Sequence, residues 1–215
     1  MKQNKLLIVI VFVLISKAGL SQNKFLLGVS SGINYTTSYG SEYANGFFDS
    51  GFSYQLGVTS EYKLNESLSL KAELSYDRQR IIVGENSILY NSEDPVFTSL
   101  PRFEQVFHYL ALPILVKYKF QKENSFFING GFSFGYLINA VRRTEVGSNV
   151  SYRDLTSYDS FTFGAVLGVG KEIKLNTKHN LTLELRNTLG LNNFSDFETL
   201  KLNSLSFILG WNFTL

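Results

Sequence analysis

Glu61, Glu73, Asp77, Glu172 and Glu184 face five bases, Lys63, Lys71, Lys117, Lys119 and Arg186, all on alternating positions of stretches that are otherwise apolar every second residue. Two chemistries suit such a set. Crowded carboxylates and amines with displaced ionisation could carry general acid–base work or a proton path. The plainer reading is mutual neutralisation, because ions removed from water persist when they are paired. We read Glu61, Glu73, Lys117, Glu172, Glu184 and Arg186 as such a structural charge network.

Other reactive groups are sparse. His108 and His179 are the only histidines, and they fall near the outer end of the fourth strand and in a periplasmic turn, so they cannot share a metal. Cysteine is absent, which removes disulfides, thiolate nucleophiles, thiolate metal ligands and a lipid-modified cysteine together. A hydrolytic site would need a Ser or Asp nucleophile beside a base, and only Ser87 and Ser99, in the loop preceding His108, offer themselves. No catalytic residue, cofactor or metal is expected. A net charge of +2, with Lys and Arg dispersed along the chain, lacks the footprint of a nucleic-acid binder.

The elements that must position the charges are strands. Aromatic residues make up 15% of the 215 residues, with 19 Phe and 12 Tyr but only 3 Pro, a composition that suits pleated sheet. Phe52, Tyr54, Leu56, Val58 and Tyr62 alternate with Ser53, Gln55, Gly57, Thr59, Glu61 and Lys63. Leu68, Leu70, Ala72, Leu74 and Tyr76 repeat the pattern after the short turn Asn65-Glu66-Ser67, which makes a hairpin. Leu181, Leu183, Leu185 and Leu189 carry it again, and Leu205, Phe207, Leu209, Trp211, Phe213 and Leu215 continue it to the last residue. Four more stretches, near 25–35, 107–120, 126–138 and 161–173, bring the total to eight.

Connection lengths alternate as well. The segments 65–67, 121–125 and 174–180 are short, whereas 36–51, 82–105, 139–159 and 192–203 are long. Tight turns at one end and long loops at the other, with an even strand number, define an outer-membrane barrel: periplasmic turns, extracellular loops and both termini on the periplasmic side. A sandwich would have to bury Leu, Phe, Tyr and Val faces from all eight strands, more than its core accepts. Facing lipid resolves that excess, and hydrocarbon, offering no partners to backbone groups, forces the sheet to close. The expected fold is all-β, an eight-stranded antiparallel transmembrane β-barrel in the bacterial outer membrane, too narrow for a general porin, with small inward residues such as Gly28, Gly57, Gly168 and Gly170 filling the crowded interior.

Residues 1–21 read as a signal peptide: Lys2 and Lys5, an apolar run from Leu6 to Ile15, then Gly19 and Ser21 three and one before Gln22. Ten apolar residues are too few for a spanning helix, which needs about 20. Residues 22–215 form one barrel domain. Tyr62, Tyr118, Phe120, Phe126 and Phe213 fall toward the periplasmic ends, and Tyr35, Phe52, Tyr54, Tyr76, Tyr136, Phe161 and Phe163 toward the outer ends, as two aromatic girdles. The long loops hold Tyr39, Tyr43, Phe47, Phe48, Tyr90, Phe97, Phe103, Tyr152 and Tyr158, an aromatic surplus that suits a packed cap or a partner surface.

Pro113 removes a ladder donor from the fourth strand, where a bulge or kink is expected. Its surroundings, Tyr109-Leu110-Ala111-Leu112-Pro113-Ile114-Leu115-Val116-Lys117-Tyr118, resemble the tyrosine–leucine–x–isoleucine/leucine–proline–leucine–leucine–x–lysine–tyrosine segment of PorT-like outer-membrane barrels of Bacteroidetes. Gly130-Gly131-Phe132-Ser133-Phe134-Gly135-Tyr136-Leu137 is similar to that family's next, glycine-rich strand. Ala111 departs from the pattern, standing where an acidic residue is common. The resemblance implies an outer-membrane barrel and, for part of the family, protein secretion to the cell surface. The functional expectation is a non-enzymatic structural or accessory barrel, surrounded by outer-membrane lipid, whose extracellular loops meet envelope or secretion proteins. The alternatives are a narrow channel for ions or small solutes and a lipid-modifying barrel enzyme.

Overall fold

The computed structural model describes residues 24–40, 48–83, 103–120, 125–146, 149–156, 158–194 and 199–215. The leader 1–21 therefore lies outside the described residues. Nine strands follow in chain order: β1 Phe25–Tyr39, β2 Phe48–Lys63, β3 Leu68–Val83, β4 Phe103–Lys119, β5 Phe126–Val146, β6 Asn149–Asp154, β7 Phe161–Lys174, β8 His179–Gly190 and β9 Lys201–Thr214. Every pairing is antiparallel. The sheet runs β4-β3-β2-β1-β9-β8-β7-β5-β6, and a further β4–β5 pairing shuts it. Because β6 pairs with β5 alone, the closed ring contains eight strands, as the alternation requires.

Closure satisfies every strand edge within the ring, the condition for a sheet surrounded by hydrocarbon. The exterior carries Leu27, Val29, Ile33, Leu56, Val58, Leu74, Leu112, Ile114, Val116, Leu167, Val169, Leu185 and Leu209, all exposed. The interior carries buried Ser, Thr, Asn, Glu, Lys and Arg. This inversion of the soluble pattern is the consequence of an apolar solvent. At the periplasmic end two turns share one device. Asn65 Oδ1 accepts the N–H groups of Ser67 and Leu68 at 2.9 and 2.8 Å, and Asn176 Oδ1 accepts those of Lys178 and His179, both at 2.9 Å. The start of β1 and the end of β9 lie here, where Leu215 N–H donates to Phe25 O at 3.0 Å.

Three expectations are corrected. The segment 139–159 is not a plain loop: β5 continues to Val146 and returns as β6 in a ribbon beyond the ring. Its residues, among them Arg142, Arg143, Glu145 and Arg153, show no apolar alternation because this ribbon has no lipid-facing side. Likewise β1, β2, β3, β4 and β9 run several residues farther outward than the alternation does. Pro113 makes no bulge. It pairs with Ser133 in unbroken register, and on the β3 side the ladder merely skips from Ala72↔Ile114 to Ser75↔Ala111 with the register unchanged. The bulges fall elsewhere, at Ile138, between the pairs His108↔Asn139 and Tyr109↔Leu137, and between Ser50 and Gln55 on β2. Finally, His179 opens β8 rather than sitting in the turn, stacked on Trp211 with ring centres 5.3 Å apart.

Candidate functional site: the lumen and its outer closure

Period-two side chains carry the charged residues inward, and the stagger of the strands decides which of them meet. Two linked groups result. Near the periplasmic end Lys117 Nζ lies 2.9 Å from Glu61 Oε2 and 2.7 Å from Glu172 Oε2, and Lys119 Nζ reaches Glu172 Oε1 at 3.2 Å. Above it Lys71 Nζ lies 3.1 Å from Glu184 Oε2 and 3.8 Å from Glu73 Oε2. Arg186 then bridges Glu184 at 2.6 Å and Glu73 at 3.1 Å. The six residues read as one network divide between the groups, Glu61, Lys117 and Glu172 in the first and Glu73, Glu184 and Arg186 in the second. Neutral donors complete it: Asn129 Nδ2 donates to Glu184 Oε1 and Ser30 Oγ to Glu73 Oε1, both at 3.0 Å.

Space for these long side chains comes from the facing strand. At Gly170 on β7 a Cβ would collide with the Leu183 carbonyl oxygen and with Phe127 Cζ, and Lys117 Nζ lies over that same ring, 4.6 Å from its centre. Asp77, the remaining inward acid, sits farther out. It accepts Asn34 Nδ2 at 2.5 Å and Gln79 Nε2 at 2.8 Å.

Beyond Asp77 the interior turns apolar. Ile81, Phe107, Tyr109, Ala140, Phe194, Leu200 and Leu202 form a buried cluster, with Phe48, Leu137, Leu155 and Tyr158 packed against it. Phe107 meets Tyr158 and Phe194 edge-on at 5.0 and 5.4 Å, and Tyr158 stacks on Phe194 at 5.8 Å. The segment after β8 is folded back by Asp159 N–H to Phe194 O at 3.2 Å and Phe194 N–H to Leu200 O at 2.9 Å. Burial pushes the Tyr158 hydroxyl above the ordinary phenol value. Thus Phe48 and Tyr158, two of the loop aromatics, belong to a packed cap, whereas Tyr152 is 69% exposed and Tyr43, Phe47, Tyr90 and Phe97 lie outside the described residues. Sequence reasoning missed the inward Ile81 and Phe107, whose only signal was apolar residues recurring on the polar face of β3 and β4, and Phe194, which follows β8 where no alternation reaches.

His108 stands on the outer part of β4 with its Nδ1 engaged by the Tyr76 hydroxyl, and Ser87 and Ser99 lie outside the described residues. Among the described residues no group of three or more His, Cys, Asp and Glu side chains could hold a metal ion.

The family model for the outer membrane protein beta-barrel domain matches residues 18–196. The chain belongs to this family. Its place is the bacterial outer membrane. The match stops before β9, yet β9 is integral to the barrel, pairing with β8 on one side and β1 on the other. Similar solved structures include the outer membrane protein AlkL in DMPC bilayers, at 10% identity and a TM-score of 0.50 over 91% of this chain and 91% of that one. OprG from Pseudomonas aeruginosa matches at 11% and 0.48 over 90% and 97%, and Neisserial surface protein A at 12% and 0.48 over 89% and 97%. No curated protein matches the sequence. At such identities the likeness concerns the fold alone.

Proposed function

We propose that this outer-membrane barrel is a non-enzymatic structural or accessory protein of the cell envelope, its lumen shut to solutes and its outer end turned toward partners. The observation that carries the reading is obstruction in series: the Lys117 and Arg186 charge groups, then the Phe107–Tyr158–Phe194 cap. The charge network serves to hold the ring together rather than to move protons, since its four acids and four bases neutralise one another at contact distance. Single-channel recording in planar bilayers tests this directly. Silence across the physiological voltage range is expected; steady open-state current would displace the reading in favour of a narrow channel.

A role in protein export to the surface is a second reading, favoured by the PorT-like segment Tyr109–Tyr118 and the glycine-rich strand Gly130–Leu137 beside it. Loss of surface-protein export on deletion of the gene is its expected outcome, and normal export would end it. A lipid-modifying activity predicts that purified protein cleaves phospholipid or lipid A acyl chains in a His108-dependent way. No turnover is expected, because the His108 ring is held by Tyr76.

A further inference from the structure

Between the charge network and the apolar cap the lumen contains a cavity of about 60 Å³. Its walls include Asp77, Gln79, Gln55, Tyr109, Ser133 and Arg186. One water needs roughly 10–15 Å³ measured in this way, so the space exceeds a single water several-fold.

Two independent observations mark it. Asp77 is the odd charge of the lumen. Glu61, Glu73, Glu172 and Glu184 are each within 4.0 Å of Lys71, Lys117, Lys119 or Arg186, whereas among the described residues no cationic nitrogen lies that close to Asp77. Arg186 also borders the cavity, but its guanidinium is already committed to Glu73 and Glu184. Both Asp77 oxygens accept amide donors, Oδ1 from Asn34 and Oδ2 from Gln79, an arrangement that a carboxylate satisfies without a proton.

The second observation is a set of orphaned polar atoms. The Tyr109 hydroxyl, the Gln79 Oε1 and the Gln55 Nε2, all on residues lining the cavity, have no hydrogen-bond partner, and Tyr109 is only 2% exposed. Asn34 Oδ1, behind Asp77, is orphaned too. Buried polar atoms without partners are rare and costly. The two amides that donate to Asp77 through nitrogen thus leave their own oxygens, Asn34 Oδ1 and Gln79 Oε1, without donors. Hard oxygen ligands with a single negative charge suit a small alkali cation. A divalent ion would want more carboxylates than Asp77 supplies, and among the described residues of the lining nothing soft or imidazole-like is present for a transition metal.

We infer that the cavity binds one hydrated monovalent cation of the sodium class, neutralising Asp77 and engaging the Tyr109 and Gln79 oxygens. The cation is a structural occupant beneath the cap, distinct from any current through the pore, and the site does not depend on the proposed envelope role.

The test uses purified full-length barrel in detergent micelles, with heat unfolding followed by circular dichroism at constant ionic strength. Sodium chloride is exchanged stepwise for N-methylglucamine chloride, whose cation is too large for the cavity. For wild type the midpoint should rise saturably with sodium, by about 5 °C at concentrations roughly 100-fold above the dissociation constant. In Asp77→Asn the two salts should give one midpoint, and Tyr109→Phe should need several-fold more sodium for the same rise. Equal midpoints for wild type in both salts would overturn the inference, as would a sodium response surviving in Asp77→Asn. An infrared band of protonated carboxylic acid in sodium buffer that vanishes in Asp77→Asn would also overturn it, by showing a bound proton in place of the cation. Should Asp77→Asn not fold, the wild-type salt comparison and the Tyr109→Phe shift still decide.

Discussion

Arg186 is the side chain on which most of the interior electrostatics converge. It is 3% exposed, and it touches Glu73 and Glu184 at once. Removing it leaves two buried carboxylates to share the one cation Lys71, so Arg186→Leu should cost about 3–5 kcal/mol, read from urea unfolding in lipid vesicles. Adding Glu73→Gln alone to that variant should recover most of the loss, since Lys71 then faces the single carboxylate of Glu184 and the charges balance again. At the other end of the lumen Phe194 is clamped between Phe107 and Tyr158. Phe194→Ala should cost about 3–5 kcal/mol by the same measurement. Which residues point inward was legible from alternation. Which of them touch was not: Lys71 on β3 meets Glu184 on β8 and Lys117 on β4 meets Glu172 on β7, partners across the lumen whose heights depend on the stagger of the ring and not on sequence spacing.

At the level of strands the two faces obey opposite rules, and substitutions should separate them. Leu209 on β9 is an exposed member of the apolar exterior, between Phe207 and Trp211. Leu209→Arg should cost about 2–4 kcal/mol near the bilayer midplane. Ser133→Lys, directed toward the cavity that Asp77 borders, should cost clearly less in the same assay. A third strand-level test concerns close approach: Gly170→Ala, with its new methyl against the Leu183 carbonyl, should cost about 1–3 kcal/mol. The membrane-crossing parts of all eight strands were readable because lipid on one side and a packed lumen on the other impose period two. Their outer extensions and the β5–β6 ribbon were not, because the apolar alternation stops where the lipid does. The expected bulge at Pro113 is absent for a separate reason. Its ladder gap falls toward β3 opposite Glu73, where the sheet tolerates a missing donor without changing register.

For the molecule as a whole the closed ring predicts a compact form that survives sodium dodecyl sulfate in the cold and shifts mobility on a gel only after boiling, with β-rich circular dichroism lost in the same step. Loss of that shift on opening the ring, for example by deleting β9, is the corresponding outcome. The seam between β1 and β9 also constrains how the barrel comes into being. Leu26 lies opposite Thr214 and Tyr39 opposite Lys201, so the last contacts to form join the two extremes of the chain. Hairpins such as β2–β3, with their Asn turns, involve only near neighbours and zip early, whereas the seam must wait for the entire intervening polypeptide. Until it does, two naked strand edges with greasy flanks are on offer to any passing strand. Joining β1 to β9 is therefore the step that leaves the sheet of the barrel with no open edge in its ring.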